Sequence, residues 1–287
     1  MCSQQKIDFS DSNVVKDVTL RVFRWNQAEG GPGRLQDYKV PVVPGMTVLD
    51  ALIWVKENLD HTVSWRAACR MGVCGSCGMF INGKPLLGCQ TQILKLHVDV
   101  IEVRPLPNYP VVKDLVPDFT RMFDAHTAIK PYIIRKGTPP EQIEGEFHQT
   151  EAQLVDYLQF SYCLKCGLCM SACPTVATLP EFPGPQPLGQ ATRYVRDTRD
   201  EGFEERLPAI DHKFGIFRCH FAGACSEACP KGIDPAFAIQ LLKGEIVRRT
   251  VFGKAAPASA AIMPKKQEKA VRQDGIPDAP PASLGKS

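Results

Sequence analysis

The sequence predicts an α+β chain of two domains, and three observations predict it. Alternating apolar and β-branched stretches, broken by Gly, Pro and Asn turns, fill the first 110 residues. Apolar residues at helical spacing dominate from residue 151 onward. Eleven of the twelve cysteines fall into three closely spaced groups, one in the first part and two in the second. A chain of 287 residues is long enough for about two domains, each with its own core.

The elements follow in chain order. Val18 to Trp25 and Leu35 to Val43 alternate as strands do, and Gly30-Gly31-Pro32-Gly33 between them marks a hairpin. Thr47 is placed to cap a helix running to Asn58, with Asp50 three residues on as a variant of the capping box and Leu49, Leu52 and Ile53 on one face. After the first cysteine group come a strand at Gly78 to Ile81, an Asn82-Gly83 turn and a strand at Val98 to Val103. Strand, strand, helix, cysteine loop and strands is the order of a β-grasp ferredoxin domain, expected over residues 1–110. Residues 111–150 mix charge, Pro and amphipathic stretches and read as a connector packed partly against both domains. Leu154, Tyr157 and Leu158 predict a helix from Glu151 into the second cysteine group, which Pro174 closes. Further helices are expected at Gln190 to Asp200, Leu207 to Phe217 and Pro235 to Arg248, so that an α-helical two-cluster domain occupies residues 151–252. From residue 253 the composition turns to Ala, Pro, Lys and Asp, a tail expected to be disordered.

The cysteine spacings carry the chemistry. Cys69, Cys74 and Cys77 are separated by four and two residues, and Cys89 follows after eleven more. That is the plant-type spacing of a [2Fe–2S] centre. Cys163, Cys166, Cys169 and Cys173 are separated by two, two and three residues and followed by Pro174, the bacterial run of a [4Fe–4S] ferredoxin. Cys219, Ala222, Cys225 and Cys229 repeat that run before Pro230, with alanine in the second ligand position. In two-cluster ferredoxins the last cysteine of each run ligates the other run's cluster. On that rule Cys163, Cys166, Cys169 and Cys229 hold a [4Fe–4S] cluster. Cys173, Cys219 and Cys225 supply three thiolates, which fit a [3Fe–4S] cluster. Thiolates are the soft ligands that such clusters need. Gly72, Gly75 and Gly78 among the first ligands allow unusual backbone angles and bring N–H groups close to sulfur. Arg70 is placed to face the negative cluster or to lie solvated on the surface. Cys2 stands outside every group and reads as a free, exposed thiol.

Two blander readings compete. Structural zinc uses closed groups of four ligands, often with His, whereas the groups here number four, four and three. A secreted disulfide scaffold needs an apolar leader, and Met1 to Ser12 is polar. Composition narrows the function further. A formal net charge of +3 with mixed signs gives no basic field for nucleic acid. No run approaches roughly 18 apolar residues, so membrane contact is expected through partner subunits. The chain has no Gly-x-Gly-x-x-Gly opening a βαβ unit, no P-loop and no Gly-x-Ser-x-Gly. Three clusters without a flavin or nicotinamide site describe an electron-transfer subunit whose donor and acceptor lie elsewhere.

Ser64 to Gln90, Tyr162 to Pro174 and Arg218 to Gly232 together resemble the signatures of the iron–sulfur subunit of succinate:quinone oxidoreductases, which include succinate dehydrogenase and fumarate reductase. The resemblance spans roughly Val18 to Arg249. It implies a membrane-associated complex that interconverts succinate and fumarate, with this subunit inactive alone. Electrons would pass between the FAD of a flavoprotein subunit and a quinone near membrane anchor subunits, in the order [2Fe–2S], [4Fe–4S], [3Fe–4S]. It further implies a peripheral position on the cytoplasmic face of the inner or plasma membrane. His220 and Pro174 occupy the positions of the family's quinone-pocket histidine and proline. A tryptophan that some succinate dehydrogenases place shortly after that proline has no counterpart in Thr175 to Pro180, which leans toward menaquinone. A free-standing ferredoxin or sensor, and a thiol-linked fumarate reductase, are the alternatives. The first would purify as a soluble monomer and the second would carry further cysteine-rich modules.

Overall fold

A computed structural model describes residues 13–137 and 147–253. Cys2, the polar N-terminal segment, part of the expected connector and all but the first residue of the expected tail lie outside the described residues.

The first domain is built on a five-stranded mixed sheet. Strands β1 (Lys16–Arg24), β2 (Arg34–Val42), β3 (Gly78–Ile81), β4 (Lys84–Leu87) and β5 (Val100–Arg104) lie in the order β2-β1-β5-β3-β4, with only β1 and β5 parallel. Alternation sends Val18, Leu20 and Val22 of β1 to the same face as Tyr38, Val40 and Val42 of β2. The register sets Leu20 opposite Tyr38 on one side and Ile101 on the other. Helix α1 (Val48–Asn58) covers this face with Leu49, Leu52 and Val55. Its start is fixed as the sequence predicts: the Asp50 N–H donates to Thr47 Oγ1 at 3.2 Å, and the Thr47 N–H donates to Asp50 Oδ2 at 2.9 Å. The sequence reading has no strand at Lys84–Leu87. It lies at the sheet edge, where Pro85 can be accommodated because an edge strand leaves half of its N–H groups out of the ladder.

Short strands β6 (Val111–Lys113) and β7 (Val116–Pro117) follow, and Leu115 enters the first domain's core. Helix α2 (Thr120–Ala128) instead buries Met122 in the second core. The chain then enters α3 (Glu151–Ser161), α4 (Leu168–Ser171), α5 (Pro174–Thr178), α6 (Pro185–Val195), α7 (Phe203–Ile210), α8 (Ala224–Glu227) and α9 (Pro235–Phe252). Helices α6 and α9 form the centre, where Thr192 Oγ1 donates to the Ala238 carbonyl at 3.0 Å. Three expectations shift. The helix placed at Gln190 to Asp200 is α6, which begins at Pro185, because prolines at the first and third helical positions lack N–H groups that would have no partner there. Pro174 likewise opens α5 rather than ending a turn. The span Leu207 to Phe217 is the end of α7 and a separate 3₁₀ turn at Ile216–Arg218.

Buried charge clamps this domain to the connector. The side chains of Arg206 and Asp200 are buried and pair at 2.6 and 2.9 Å. The same guanidinium donates to the carbonyls of Lys130 and Tyr132 at 3.0 and 2.6 Å. Asp200 also accepts from the Ile134 N–H at 3.0 Å. Asp200→Ala leaves Arg206 charged and unpaired in the interior, so a loss of about 3–5 kcal/mol is expected in urea unfolding of the variant.

Candidate metal centres

The first cysteine group sits on a loop whose backbone is bent by left-handed residues, Arg70 at φ 58°, Gly72 at 72° and Gly75 at 75°. This curl turns N–H groups inward. Met71, Val73 and Cys74 all donate to Cys69 Sγ, at 3.4, 3.3 and 3.2 Å. The β3–β4 hairpin carries the other end, since Gly78 pairs with Leu87 and Gly88 donates to the Cys77 carbonyl, which sets Cys77 near Cys89. A donor hydroxyl on Ser76, 3.2 Å from Cys74 Sγ, together with backbone N–H groups lowers that thiol to about 6. Burial, reinforced by Cys89 and Cys74, pushes Cys77 up to about 12.

The second and third groups are one backbone used twice. Lys165 and Phe221, each two residues after the first cysteine of its run, are left-handed at φ 55° and 58°. Gly167 and Gly223 follow at 80° and 79° and open the four-residue helices α4 and α8. Ala222 therefore occupies the backbone position that Cys166 occupies in the first run.

The two runs exchange their last cysteines. One cavity is lined by Cys163, Cys166, Cys169 and Cys229. A second is lined by Cys173, Cys219 and Cys225, with Pro174, His220 and Ala222 on its wall. Burial drives the Cys166 thiol up to about 12 and Cys225 to about 11, and raises Cys169, Cys173 and Cys229 as well. Such thiols stay protonated until a cation takes their place, so loading releases protons. Among the described residues no three Cys, His, Asp or Glu side chains gather as a single ion would need. Cys163, Cys166, Cys169 and Cys229 surround one cavity and Cys173, Cys219 and Cys225 another, each with room for a cluster.

The three sites touch in sequence. A Cβ on Gly75 of the first loop would fall 2.6 Å from Cys166 Cβ. Asn108, just after β5, donates to the carbonyls of Met170, Ser171 and Cys173 at 3.1, 2.9 and 3.3 Å. Tyr109 donates to the Gly167 carbonyl at 3.1 Å. The two cavities share Pro185 as a wall. At the far end His220, Phe221 and Ala222 are exposed.

Several of these groups escape sequence reasoning. Gln240 and Lys243 of α9 reach the third group, with Gln240 Nε2 4.0 Å from Cys219 Sγ and Lys243 donating to the Cys219 carbonyl at 2.9 Å. Their one signal is a polar pair three residues apart in the apolar first half of α9. Asn108 and Tyr109 give none.

Known proteins share this arrangement. A family model described as a 2Fe-2S iron-sulfur cluster binding domain matches residues 19–124, and one described as a 4Fe-4S dicluster domain matches residues 159–233. The fumarate reductase iron-sulfur subunit of Escherichia coli O6:H1 is 42% identical over 80% of this chain and 93% of its own length. The succinate dehydrogenase iron-sulfur subunit of Paracoccus denitrificans is 37% identical over 81% and 89%. The chain belongs to the fumarate reductase and succinate dehydrogenase iron–sulfur subunits. A chain of the Mycobacterium smegmatis Sdh1 complex in the apo form has the same fold, with a TM-score of 0.70 and 28% identity over 81% of this chain and 96% of that one. As a member of this family the chain is an electron-transfer subunit of an oxidoreductase, with a [2Fe–2S] domain followed by a [4Fe–4S] dicluster domain.

Proposed function

We propose that this subunit carries electrons between the FAD of a flavoprotein subunit and a quinone held near membrane anchor subunits, interconverting succinate and fumarate within that complex. Bound clusters supply one-electron redox chemistry, and the chain's residues hold and order them. Cys69, Cys74, Cys77 and Cys89 take the [2Fe–2S] cluster. Cys163, Cys166, Cys169 and Cys229 take the [4Fe–4S] cluster, and Cys173, Cys219 and Cys225 the [3Fe–4S] cluster. The domains divide as residues 1–110, a connector over 111–150, residues 151–252 and the tail from 253. The observation that carries this reading is the pair of cavities lined by four and three cysteines with Cys173 and Cys229 exchanged.

The linear contact from Gly75 to Cys166, and from the cavity of Cys166 through Pro185 to the cavity of Cys173, favours the order [2Fe–2S], [4Fe–4S], [3Fe–4S]. The flavoprotein then belongs beside Cys69 and the quinone beside His220 and Pro174, at the exposed end. The absence of tryptophan from Thr175 to Pro180 favours menaquinone. Among the described residues no helix is long and apolar enough to cross a membrane, so anchor subunits are proposed to hold the chain at the cytoplasmic face. The test is an iron count and a redox titration by electron paramagnetic resonance on the purified complex. About nine irons per chain and an oxidised-state [3Fe–4S] signal are expected. Full iron without that signal, or succinate oxidation by the isolated chain, would overturn the reading.

A further inference from the structure

Gln186, in the first turn of α6, is 3% exposed and lines the cavity of Cys163, Cys166, Cys169 and Cys229. One end of its amide meets Nδ1 of His126 at 3.2 Å. The other end is buried with no protein partner. An orphaned amide atom of this kind costs free energy unless something else fills its hydrogen-bonding capacity. His126 does not line the cavity, so the unpartnered end is the one left for whatever the cavity holds.

The chemistry of the occupant fixes which end that is. An amide has two orientations of nearly the same shape. With Nε2 toward His126, a carbonyl oxygen is left for an anionic cluster whose sulfurs only accept hydrogen bonds. Turned over, Oε1 accepts from the His126 Nδ1–H and the amide NH₂ is free to donate to sulfur. Only the second orientation turns a donor toward sulfurs that can only accept. We propose that Gln186 is a hydrogen-bond donor to a sulfur of the [4Fe–4S] cluster, held in that orientation by His126, and that it raises the potential of this centre alone. The proposal rests on the reading that these four cysteines are the cluster's ligands. A donor aimed at sulfur favours the reduced, more negative cluster, so hydrogen bonds to sulfur tune the potential. The positive end of the α6 dipole, at the same turn, acts in the same direction.

The test is a potentiometric titration of the intact complex by electron paramagnetic resonance, in the native form and as Gln186→Leu and Gln186→Met. Leucine removes the donor, and methionine keeps the length of the side chain without a proton to give. At the potential where the native centre is half reduced, the reduced-to-oxidised ratio should fall about tenfold, which is about 59 mV for one electron. The [2Fe–2S] and [3Fe–4S] midpoints should not move. If leucine prevents loading, methionine and a second readout remain. The native complex exchanged into deuterated water should show a deuteron coupled to the reduced [4Fe–4S] centre that is missing in the variant. Unchanged midpoints and identical couplings would overturn the proposal. Cys229→Ser separates the two readings: loss of the [4Fe–4S] signal there retains the ligand set, and a native signal would overturn that set whatever the Gln186 variants do.

Discussion

Ala222→Cys is expected to convert the third centre from [3Fe–4S] to [4Fe–4S]. The basis is the repeated backbone: Phe221 and Gly223 have the same left-handed angles as Lys165 and Gly167, so position 222 presents its Cβ as Cys166 does. Ala222 lines the cavity of Cys173, Cys219 and Cys225 and is exposed, so a thiol there meets no packed neighbour. Iron should rise from about nine to about ten per chain, and the oxidised-state [3Fe–4S] resonance should vanish. Cluster type and net charge are main determinants of potentials that span roughly −700 to +450 mV. A fourth iron and thiolate therefore lower the third centre markedly and slow electron delivery to quinone, while the other two centres keep their midpoints. An intact [3Fe–4S] signal beside a titratable free thiol would show that position 222 is not the vacant ligand place.

What made this site legible was short-range spacing. The ligand runs, the alanine substitution and the capping box of α1 all depend on residues within a few positions of each other, and alternation along β1 and β2 marks a half-buried sheet without any tertiary knowledge. The exchange of Cys173 and Cys229 spans some fifty residues and was readable only because two-cluster runs follow a general rule. Proline misled where its role depends on place. Pro85 sits in an edge strand, and Pro174 and Pro185 open helices that a breaker reading ends or delays. Asn108 and Gln186 act across the fold on partners far away in sequence, so composition and period carry no trace of them.

Gly75→Val is expected to separate the first two centres. Gly75 is left-handed at φ 75°, and a Cβ there would lie 2.6 Å from Cys166 Cβ, 3.1 Å from Cys166 Cα and 3.3 Å from Leu164 Cβ. Backbone cannot give way as a flexible side chain can, so the two metal loops must part. The left-handed angle alone costs about 1–2 kcal/mol for a residue with a Cβ, and the clash comes on top. Gly83 isolates the first contribution: it has φ 80° in the β3–β4 turn and nothing within 4 Å of an added Cβ. Gly83→Ala should therefore lose about 1–2 kcal/mol in urea unfolding with no change in the coupling between clusters. Gly75→Ala should lose more, and Gly75→Val more again. Magnetic coupling between the reduced [2Fe–2S] and [4Fe–4S] centres should weaken in the Gly75 variants, and stopped-flow reduction of the later centres should slow, with iron content unchanged. Equal coupling in Gly75→Val and the native complex would mean that the centres do not meet through this contact, and the order of the relay would then have to rest on some other approach of the two domains.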